Sequence, residues 1–287
     1  MKPEIGGDAI GEDRLTARLH HLEIGTPQLD VMAAFYGRAL GYQLSRDGEA
    51  IKAIADKRRL IFTPRPVKGL VSAGWALPDS DELRRLRARL SRAGLAHTDT
   101  ADAAFTDGVR VADPDGNRLV FGLPRPETAP ADAAGLPARL QHFVVASRQP
   151  DRMVRFFVEG LGFTVSDDVV DEAGEKRTSF MRCSAEHHSF AVFKADQDRL
   201  DHHCYETTDW NAIRDWCDHF AEQHIPIQWG PGRHGPGNNL FIFIHDPDGN
   251  WVEVSAELEI VDKDRIVGAW PHEERTLNGW GKAYLRS

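Results

Sequence analysis

The chain has 287 residues, a length that corresponds to about two domains of typical size, and 41% of its residues are hydrophobic. Lys and Arg number 35 against 44 Asp and Glu, and the resulting net charge of −9 argues against a general binder of nucleic acid or anionic membranes. The apolar stretches are far shorter than the roughly 20 residues that a membrane-spanning helix needs, so we expect no membrane partner.

Residues 1–14 are polar and acidic, which is unlike a signal peptide and predicts a mobile N-terminal tail. The three cysteines, Cys183, Cys204 and Cys217, are odd in number and form no CxxC motif. A protein of the reducing cytoplasm is therefore expected.

The chain repeats itself. ARLHHLEI at 17–24 matches ARLQHFVV at 138–145 with an offset of 121, and DPDGNRLVF at 113–121 matches DPDGNWVEV at 246–254 with an offset of 133. A period this long indicates two copies of one module rather than a solenoid.

The repeat predicts the domain organisation. Between the copies lies a segment rich in proline and alanine, which is typical of a linker. We expect a non-catalytic N-terminal module at 15–123, a linker at 124–137, a catalytic C-terminal module at 138–258 and a tail at 259–287.

Each copy has the same order of predicted elements. A short apolar strand precedes a helix at 27–40 or 150–161, and a second helix begins near Asp79 or Asp209, whose side chains can cap it. Strand-rich stretches follow each helix. The predicted fold is α+β: two tandem modules, each a pair of βαβββ units that form a curved mixed sheet with outer helices.

The two copies differ in residues that bind metals, and ten of the thirteen histidines belong to the second copy or the tail. His142 corresponds to His21 of the first copy, whereas Glu253 corresponds to Val120, and His203 has no histidine counterpart in VSAGWAL. Two imidazoles and one carboxylate on three strands suit a divalent first-row metal, although these ligand types alone do not choose among iron, zinc, manganese and cobalt.

Two long spacings extend this pattern. EHHSFAV precedes LDHHCYE with fifteen residues from His188 to His203, and GRHGPGNN precedes DPDGNWVEV with nineteen residues from His234 to Glu253. In these spacings the chain resembles the two-module type I extradiol ring-cleaving dioxygenases of the vicinal oxygen chelate superfamily. The resemblance extends over residues 15–258. The superfamily also includes glyoxalases and bleomycin resistance proteins.

The resemblance implies a role for each matching residue. His142, His203 and Glu253 would hold Fe(II), or Mn(II) in its place, inside the C-terminal module. His188 would be the acid–base residue. His234 would hydrogen-bond a substrate hydroxylate or bound oxygen.

The implied reaction is extradiol (meta) cleavage of a catecholic ring, with both atoms of O2 incorporated, in the degradation of aromatic compounds. A catechol-type small molecule and O2 would be the partners. Members of the family often form homo-oligomers, so the resemblance also predicts a homo-oligomer. Two alternatives remain open: another metal-dependent enzyme of the superfamily, such as an isomerase or epimerase, and a metal-free protein that binds an aromatic ligand. The absence of a second carboxylate at Val120 argues against the first alternative.

One position departs from the family pattern. The family commonly has a tyrosine ten residues before the metal glutamate, and this chain has Phe243 there. Phenylalanine cannot donate a hydrogen bond. Asn238, its neighbour Asn239, and Tyr205 are therefore candidates for the missing contact with the substrate.

Other residues near the motifs are expected to be structural. If their segments are strands, His187 and His202 point away from the faces of His188 and His203, and Cys204 points away from the metal. The aromatic tail at 259–287 either packs against the body of the protein or forms a lid that excludes water from the pocket.

Overall fold

The computed structural model of the protein describes residues 14–126 and 135–285. The predicted N-terminal tail, apart from Arg14, and most of the predicted linker lie outside the described residues. Four βαβββ units follow one another along the described chain. This order confirms the predicted fold class.

The N-terminal half contains two units. The first consists of β1 (Arg18–Thr26), α1 (Leu29–Leu40), β2 (Gln43–Asp47), β3 (Ala50–Ala55) and β4 (Arg58–Pro64). The second consists of β5 (Gly69–Ala76), α2 (Ser80–Arg92), β6 (His97–Asp99), β7 (Phe105–Ala112) and β8 (Arg118–Pro124).

The C-terminal half repeats this arrangement. Its first unit consists of β9 (Arg139–Ser147), α3 (Pro150–Arg155), which continues as a π-helical turn at Phe156–Leu161, β10 (Thr164–Val170), β11 (Lys176–Arg182) and β12 (Phe190–Lys194). Its second unit consists of β13 (Arg199–Glu206), α4 (Trp210–Glu222), β14 (Trp229–Arg233), β15 (Leu240–His245) and β16 (Trp251–Ala256). The tail adds β17 (Gly268–Pro271) and α5 (Glu274–Leu277).

Each half forms one mixed sheet. The orders are β2-β3-β4-β1-β5-β8-β7-β6 and β14-β15-β16-β13-β9-β12-β11-β10-β17, with the tail strand β17 at the edge. Within each half, the two units meet through one antiparallel pair, β1 with β5 or β9 with β13. The C-terminal half therefore places β9, β13 and β16 side by side at its centre.

The repeat extends to the irregularities of the central strands. On β1 the residue His20 is inserted between two register pairs, and on β9 Gln141 is inserted at the same place. On β5 and β13 the inserted residues are Val71 and Asp201. Each of these β-bulges inserts one extra residue into its strand and changes the direction in which the neighbouring side chains point.

The second helix of each half begins at the predicted capping aspartate, whereas α1 begins at Leu29, two residues after its predicted start. Asp79 caps α2 by accepting a hydrogen bond from the Glu82 amide, and Asp209 caps α4 by accepting one from the Ala212 amide. Gly41 follows α1 in the left-handed conformation, with φ of 68°. Glycine adopts this conformation without the steric cost that other residues pay. Among the described residues no helix is both long and apolar enough to cross a membrane.

Replacement of Asp79 with alanine is expected to destabilise the fold by about 1 kcal/mol, because the first turn of α2 loses its side-chain acceptor. Thermal unfolding should show a melting temperature lower by about 2–4 °C. The exposed neighbour Ser80 provides the control, since Ser80→Ala removes no capping bond. An unchanged melting temperature in Asp79→Ala would contradict the capping role.

The two halves share one continuous hydrophobic core, and polar side chains link them inside it. The Tyr42 hydroxyl of the first half donates to the Tyr205 hydroxyl of the second at 2.9 Å. Tyr36 donates to Asp246 at 3.1 Å, and His203 Nε2 lies 3.2 Å from the same Tyr36 hydroxyl. Since the single proton of Tyr36 goes to the carboxylate, His203 is the donor to Tyr36.

Candidate metal centre and active site

The candidate site lies where the three central strands of the second sheet run side by side. His142 of β9 and Glu253 of β16 both lie opposite Cys204 of β13 in the register. Residues that are opposite one another share a face of the sheet. One potential ligand atom from each of the three lies within 4.8 Å of the others.

The histidine of β13 that joins this cluster is His202, and the prediction that His203 does so is wrong. His202 is two residues from Cys204, so strand alternation puts both on the same face. His203 points to the opposite face, where its partner is the Tyr36 hydroxyl in the core between the halves.

Three ligand atoms converge on one point. His142 Nε2 lies 3.2 Å from Glu253 Oε2, His202 Nε2 lies 3.4 Å from the same oxygen, and the two nitrogens are 3.4 Å apart. All three side chains are buried. Donors about 2.1 Å from an octahedral metal lie about 3 Å apart when they are adjacent, so this triangle has nearly the size of one face of an octahedron.

The bulged residues orient both histidines. Gln141 Oε1 lies 2.5 Å from His142 Nδ1, and Asp201 Oδ1 lies 2.7 Å from His202 Nδ1. Gln141 donates from its Nε2 to the His188 carbonyl, which fixes its oxygen toward His142. Because an amide oxygen and a carboxylate only accept, both Nδ1 atoms carry the proton, and both Nε2 atoms present a lone pair.

The residues therefore fit a metal cation. Two nitrogen lone pairs and a carboxylate oxygen face one another with no donor among them, an arrangement that a cation stabilises. Burial alone would raise the pKa of Glu253, but His142, His202 and His234, when protonated, would hold that pKa well below its usual range, a stabilisation that a bound cation would supply in their place. Glu253 is thus a carboxylate, and the set is the two-histidine, one-carboxylate type that suits non-haem iron and related divalent metals.

Cys204 faces this site, and the expectation that it points away is wrong. Its side chain is fully buried beside Glu253. Burial raises the pKa of the thiol well above its ordinary value, and the nearby carboxylates raise it further. The shortest contacts among potential ligand atoms are those that join His142, His202 and Glu253, so Cys204 is a neighbour of this donor set.

His188 lies against the donor set. Its ring centroid is 4.4 Å from that of His142, and it packs edge-on against Phe180 at 5.1 Å. Burial, followed by the neighbouring histidines, lowers the pKa of His188 well below its ordinary value. The His188 imidazole is therefore neutral in this environment.

His187 is buried next to His188, although alternation predicted the opposite direction. The two residues lie in a loop before β12 rather than in a strand, so alternation does not apply to them. Their Nδ1 atoms are 3.0 Å apart, and His187 Nε2 lies 2.9 Å from Asp167.

His234 approaches Glu253 from the other side. Its Nδ1 donates to the Leu277 carbonyl at 2.5 Å, and its Nε2 lies 3.6 Å from Glu253 Oε1. Asn239 donates to the same carboxylate at 3.3 Å. Asn238, the predicted substrate contact, is instead exposed in the preceding turn with φ of 50°, so its prediction is wrong and Asn239 is the one that reaches the site.

The donor set opens into a cavity with mostly apolar walls. His142, His188, His202, His234 and Glu253 supply its polar lining. The remaining wall residues are aromatic or aliphatic: Val144, Phe180, Phe193, Trp229, Pro236, Phe243 and Leu277. Phe243, which stands where the family commonly has a tyrosine, lines the cavity. The candidate Tyr205 lies in the core on the other face of the sheet and cannot reach the cavity.

The C-terminal tail covers this cavity. Leu277 of α5 belongs to its wall, and Trp229, another wall residue, donates to the Lys282 carbonyl at 2.9 Å. Trp270 packs beside Phe180 and Phe193. The tail therefore packs against the body and contributes Leu277 to the cavity wall, whereas its action as a lid stays a prediction.

In the N-terminal half, the corresponding place is filled by side chains. The positions equivalent to His142, His202 and Glu253 hold His21, Ser72 and Val120. The Phe105 ring lies 5.6 Å from the His21 ring and packs against Val120. An aromatic plug thus replaces the cavity there.

The sequence contained a signal that distinguishes His202 from His203. When DHHCYET is placed against VSAGWAL, Tyr205 corresponds to Trp75 and His203 to Ala73. A large aromatic residue on a central strand is most often in the core, and Ala73 and Trp75 are both fully buried there. The histidine that shares a face with Tyr205 therefore belongs to the core, which leaves His202 for the site.

Comparisons with known proteins agree with this architecture. The chain is 24% identical to metapyrocatechase 2 of Cupriavidus necator, over 92% of this chain and 88% of that protein. It is also 24% identical to the biphenyl-2,3-diol 1,2-dioxygenase of Paraburkholderia xenovorans, over 84% of this chain and 85% of that protein.

Solved structures establish the fold. The anaerobic complex of homoprotocatechuate 2,3-dioxygenase from Brevibacterium fuscum with 3,4-dihydroxyphenylacetate matches with a TM-score of 0.80, 24% identity, and coverage of 99% of this chain and 94% of that chain. The Mn(II)-bound glyoxalase from Novosphingobium aromaticivorans matches with a TM-score of 0.78, 24% identity, and coverage of 95% and 93%.

The family is shown by its sequence profile, which matches both halves separately, at residues 18–121 and 139–254. The two matches correspond to the two copies of the repeat, and the dioxygenase relatives confirm the resemblance that the spacings indicated. The chain belongs to the Glyoxalase/Bleomycin resistance protein/Dioxygenase superfamily.

Proposed function

We propose that this protein is a metal-dependent dioxygenase that opens the ring of a catechol beside its diol and incorporates both atoms of O2. The observation that carries the proposal is the convergence of His142, His202 and Glu253 on one wall of a cavity that also contains His188. The names of the relatives, metapyrocatechase and biphenyl-2,3-diol 1,2-dioxygenase, support the same reaction class.

His142, His202 and Glu253 are the proposed metal ligands, with Fe(II) as the ion and Mn(II) as the alternative. When bound, such a metal holds the catechol and O2 together and lowers the pKa of the catechol hydroxyls. Neutral His188 accepts the proton that a hydroxyl loses and returns it later in the reaction. His234 is placed to hydrogen-bond an oxygen of the substrate, since its ring also lines the cavity.

The cavity wall favours a catechol with an uncharged substituent. No lysine or arginine occurs among the described residues that line it. Transfer of an unpaired carboxylate into such surroundings costs several kcal/mol, whereas an alkyl or aryl group gains free energy by contact with Phe180, Phe193 and Trp229.

A panel of catechols tests both the reaction and this preference. After anaerobic loading with Fe(II), the protein should consume O2 and form a yellow ring-opened product from catechol, 3-methylcatechol and biphenyl-2,3-diol. The kcat/KM for neutral 4-ethylcatechol should exceed that for 3,4-dihydroxyphenylacetate by at least about 100-fold, since each 1.4 kcal/mol is a factor of ten.

Three results would count against the proposal. Turnover without O2 consumption would indicate an isomerase or epimerase of the same superfamily. Tight binding of aromatic ligands by protein that takes up no metal would indicate a binding protein. Equal kcat/KM values for the neutral and the carboxylated catechol would overturn the substrate preference while leaving the reaction class intact.

A further inference from the structure

A buried carboxylate lies behind His188, outside the cavity. Asp167 of β10 is fully buried and is surrounded by donors. Arg265 Nη1 and the Gly268 amide lie 2.6 and 3.1 Å from its Oδ1, and Trp270 Nε1 lies 2.8 Å from its Oδ2. The fourth partner is His187, whose Nε2 lies 2.9 Å from Oδ2.

These partners fix the ionisation state of Asp167. Burial alone would raise its pKa, but the hydrogen bonds from His187 and Arg265 outweigh burial and hold the pKa below its ordinary range. Arginine, an indole N–H and a backbone N–H can only donate. Asp167 is therefore a carboxylate, and its contact with His187 Nε2 requires a proton on that nitrogen.

The proton on His187 Nε2 determines the state of the next ring. Arg265 already balances the buried charge of Asp167, so we treat His187 as a neutral imidazole. With its proton on Nε2, such a ring presents a lone pair at Nδ1. His188 Nδ1 lies 3.0 Å from that lone pair and must be the donor. The Nδ1 of His188 is thus occupied, and its Nε2 is the unprotonated nitrogen that remains for the cavity.

We propose that Asp167 and His187 are positioning residues that hold His188 with its proton on Nδ1 and its Nε2 lone pair available to the substrate. The part of the inference that concerns turnover rests on the proposed function. In this arrangement His188 can only accept a proton when the substrate first binds: the hydroxyl O–H bond breaks, an N–H bond forms at Nε2, and the catecholate keeps the electron pair. The later return of this proton restores the starting tautomer.

Three of the four donors around Asp167 come from the C-terminal tail. Arg265, Gly268 and Trp270 all lie beyond residue 258, and a Cβ at Gly268 would be only 2.4 Å from Asp167 Oδ1. The tail therefore acts on the site in two places: it covers the cavity, and it holds the carboxylate that sets the His188 tautomer.

The tautomer can be measured without turnover. Long-range ¹H–¹⁵N spectra of ¹⁵N-histidine-labelled protein, metal-free and loaded with diamagnetic Zn(II), should show His188 protonated at Nδ1. In Asp167→Asn the amide nitrogen must take one of the two oxygen positions. At Oδ1 it would oppose both Arg265 and the Gly268 amide, whereas at Oδ2 it opposes only the Trp270 indole N–H, which loses its acceptor. We therefore expect the amide nitrogen at the Oδ2 position, where it donates to His187 Nε2. Both rings then exchange tautomers, and His188 should be protonated at Nε2. An Nδ1-protonated His188 in that variant would overturn the proposal.

Kinetics provide the second readout. Asp167→Asn should lower kcat by about 100-fold, because loss of a correctly protonated acid–base group typically costs 10²–10⁴-fold. Its KM and metal content should stay within about twofold of the wild type. Asp168→Asn is the matched control, since Asp168 is the next residue on β10 but pairs with Lys176 and Ser179. An equal loss in the control would contradict a specific role for Asp167.

A double-mutant cycle tests whether Asp167 acts through His187. His187→Phe keeps the ring beside Phe180 and removes both nitrogens, so it also serves if Asp167→Asn folds poorly. The double variant should be no slower than His187→Phe alone, whereas multiplied losses would contradict the relay. If the wild type cleaves no catechol, the proposed function fails, and the spectra still decide the tautomer.

Discussion

Replacement of His202 with alanine is expected to weaken metal binding by at least about 100-fold and to abolish turnover under normal loading. His202 Nε2 lies 3.4 Å from both Glu253 Oε2 and His142 Nε2, so the substitution removes one of three converging donors. Loss of an outer partner of a metal ligand already costs 10–100-fold in affinity. Metal analysis of the purified variant and a titration with Fe(II) measure the effect.

The adjacent residue provides the matched control. His203→Ala removes the same side chain one position along β13, but on the face that contacts Tyr36 between the two halves. This variant should keep its metal content and lose stability instead, because a buried hydrogen bond and its packing are removed. The assignment is refuted if His203→Ala loses the metal while His202→Ala retains it.

Replacement of His188 with glutamine should lower kcat by about 10²–10⁴-fold while leaving the metal in place. The ring of His188 lines the cavity but is not one of the converging donors, and glutamine cannot exchange a proton near neutral pH. Metal stoichiometry and the KM for the preferred catechol should change by no more than about twofold.

His224→Gln controls for the loss of a histidine elsewhere in the same half. His224 is exposed after α4 and is not one of the residues that line the cavity, so its replacement should leave kcat unchanged. Full activity in His188→Gln would mean that another group exchanges the proton. Loss of the metal together with activity would mean that His188 is needed for binding rather than for proton transfer.

The two halves differ in the side chains that occupy the centre of the sheet. Both halves keep the bulges at the centre of the sheet, but only the second keeps acceptor side chains at the three converging positions. In the first, Phe105 and Val120 pack where the second half has its cavity. An apolar plug stabilises that half by burial, whereas the acceptors of the second need a cation to lie so close together.

The sequence by itself predicted the duplicated fold, the caps at Asp79 and Asp209, and the half that carries the site. These features depend on the chemistry of neighbouring residues and on the internal repeat, both of which are visible in the amino-acid sequence itself. His142 and Glu253 were proposed as ligands from the comparison of the two copies: Glu253 stands where the first copy has Val120, and His142 is matched by His21.

Only the tertiary structure decided which of two adjacent histidines faces the donors. Adjacent residues on a strand point to opposite faces, so the sequence alone does not tell whether His202 or His203 faces the donors. The register of β13 with β9 and β16, together with the bulge at Asp201, determines which one does. The same holds for His187 and Asp167. Nothing local to either residue reveals that a loop, a strand and the C-terminal tail meet behind His188, because such contacts arise from packing between segments far apart in the chain.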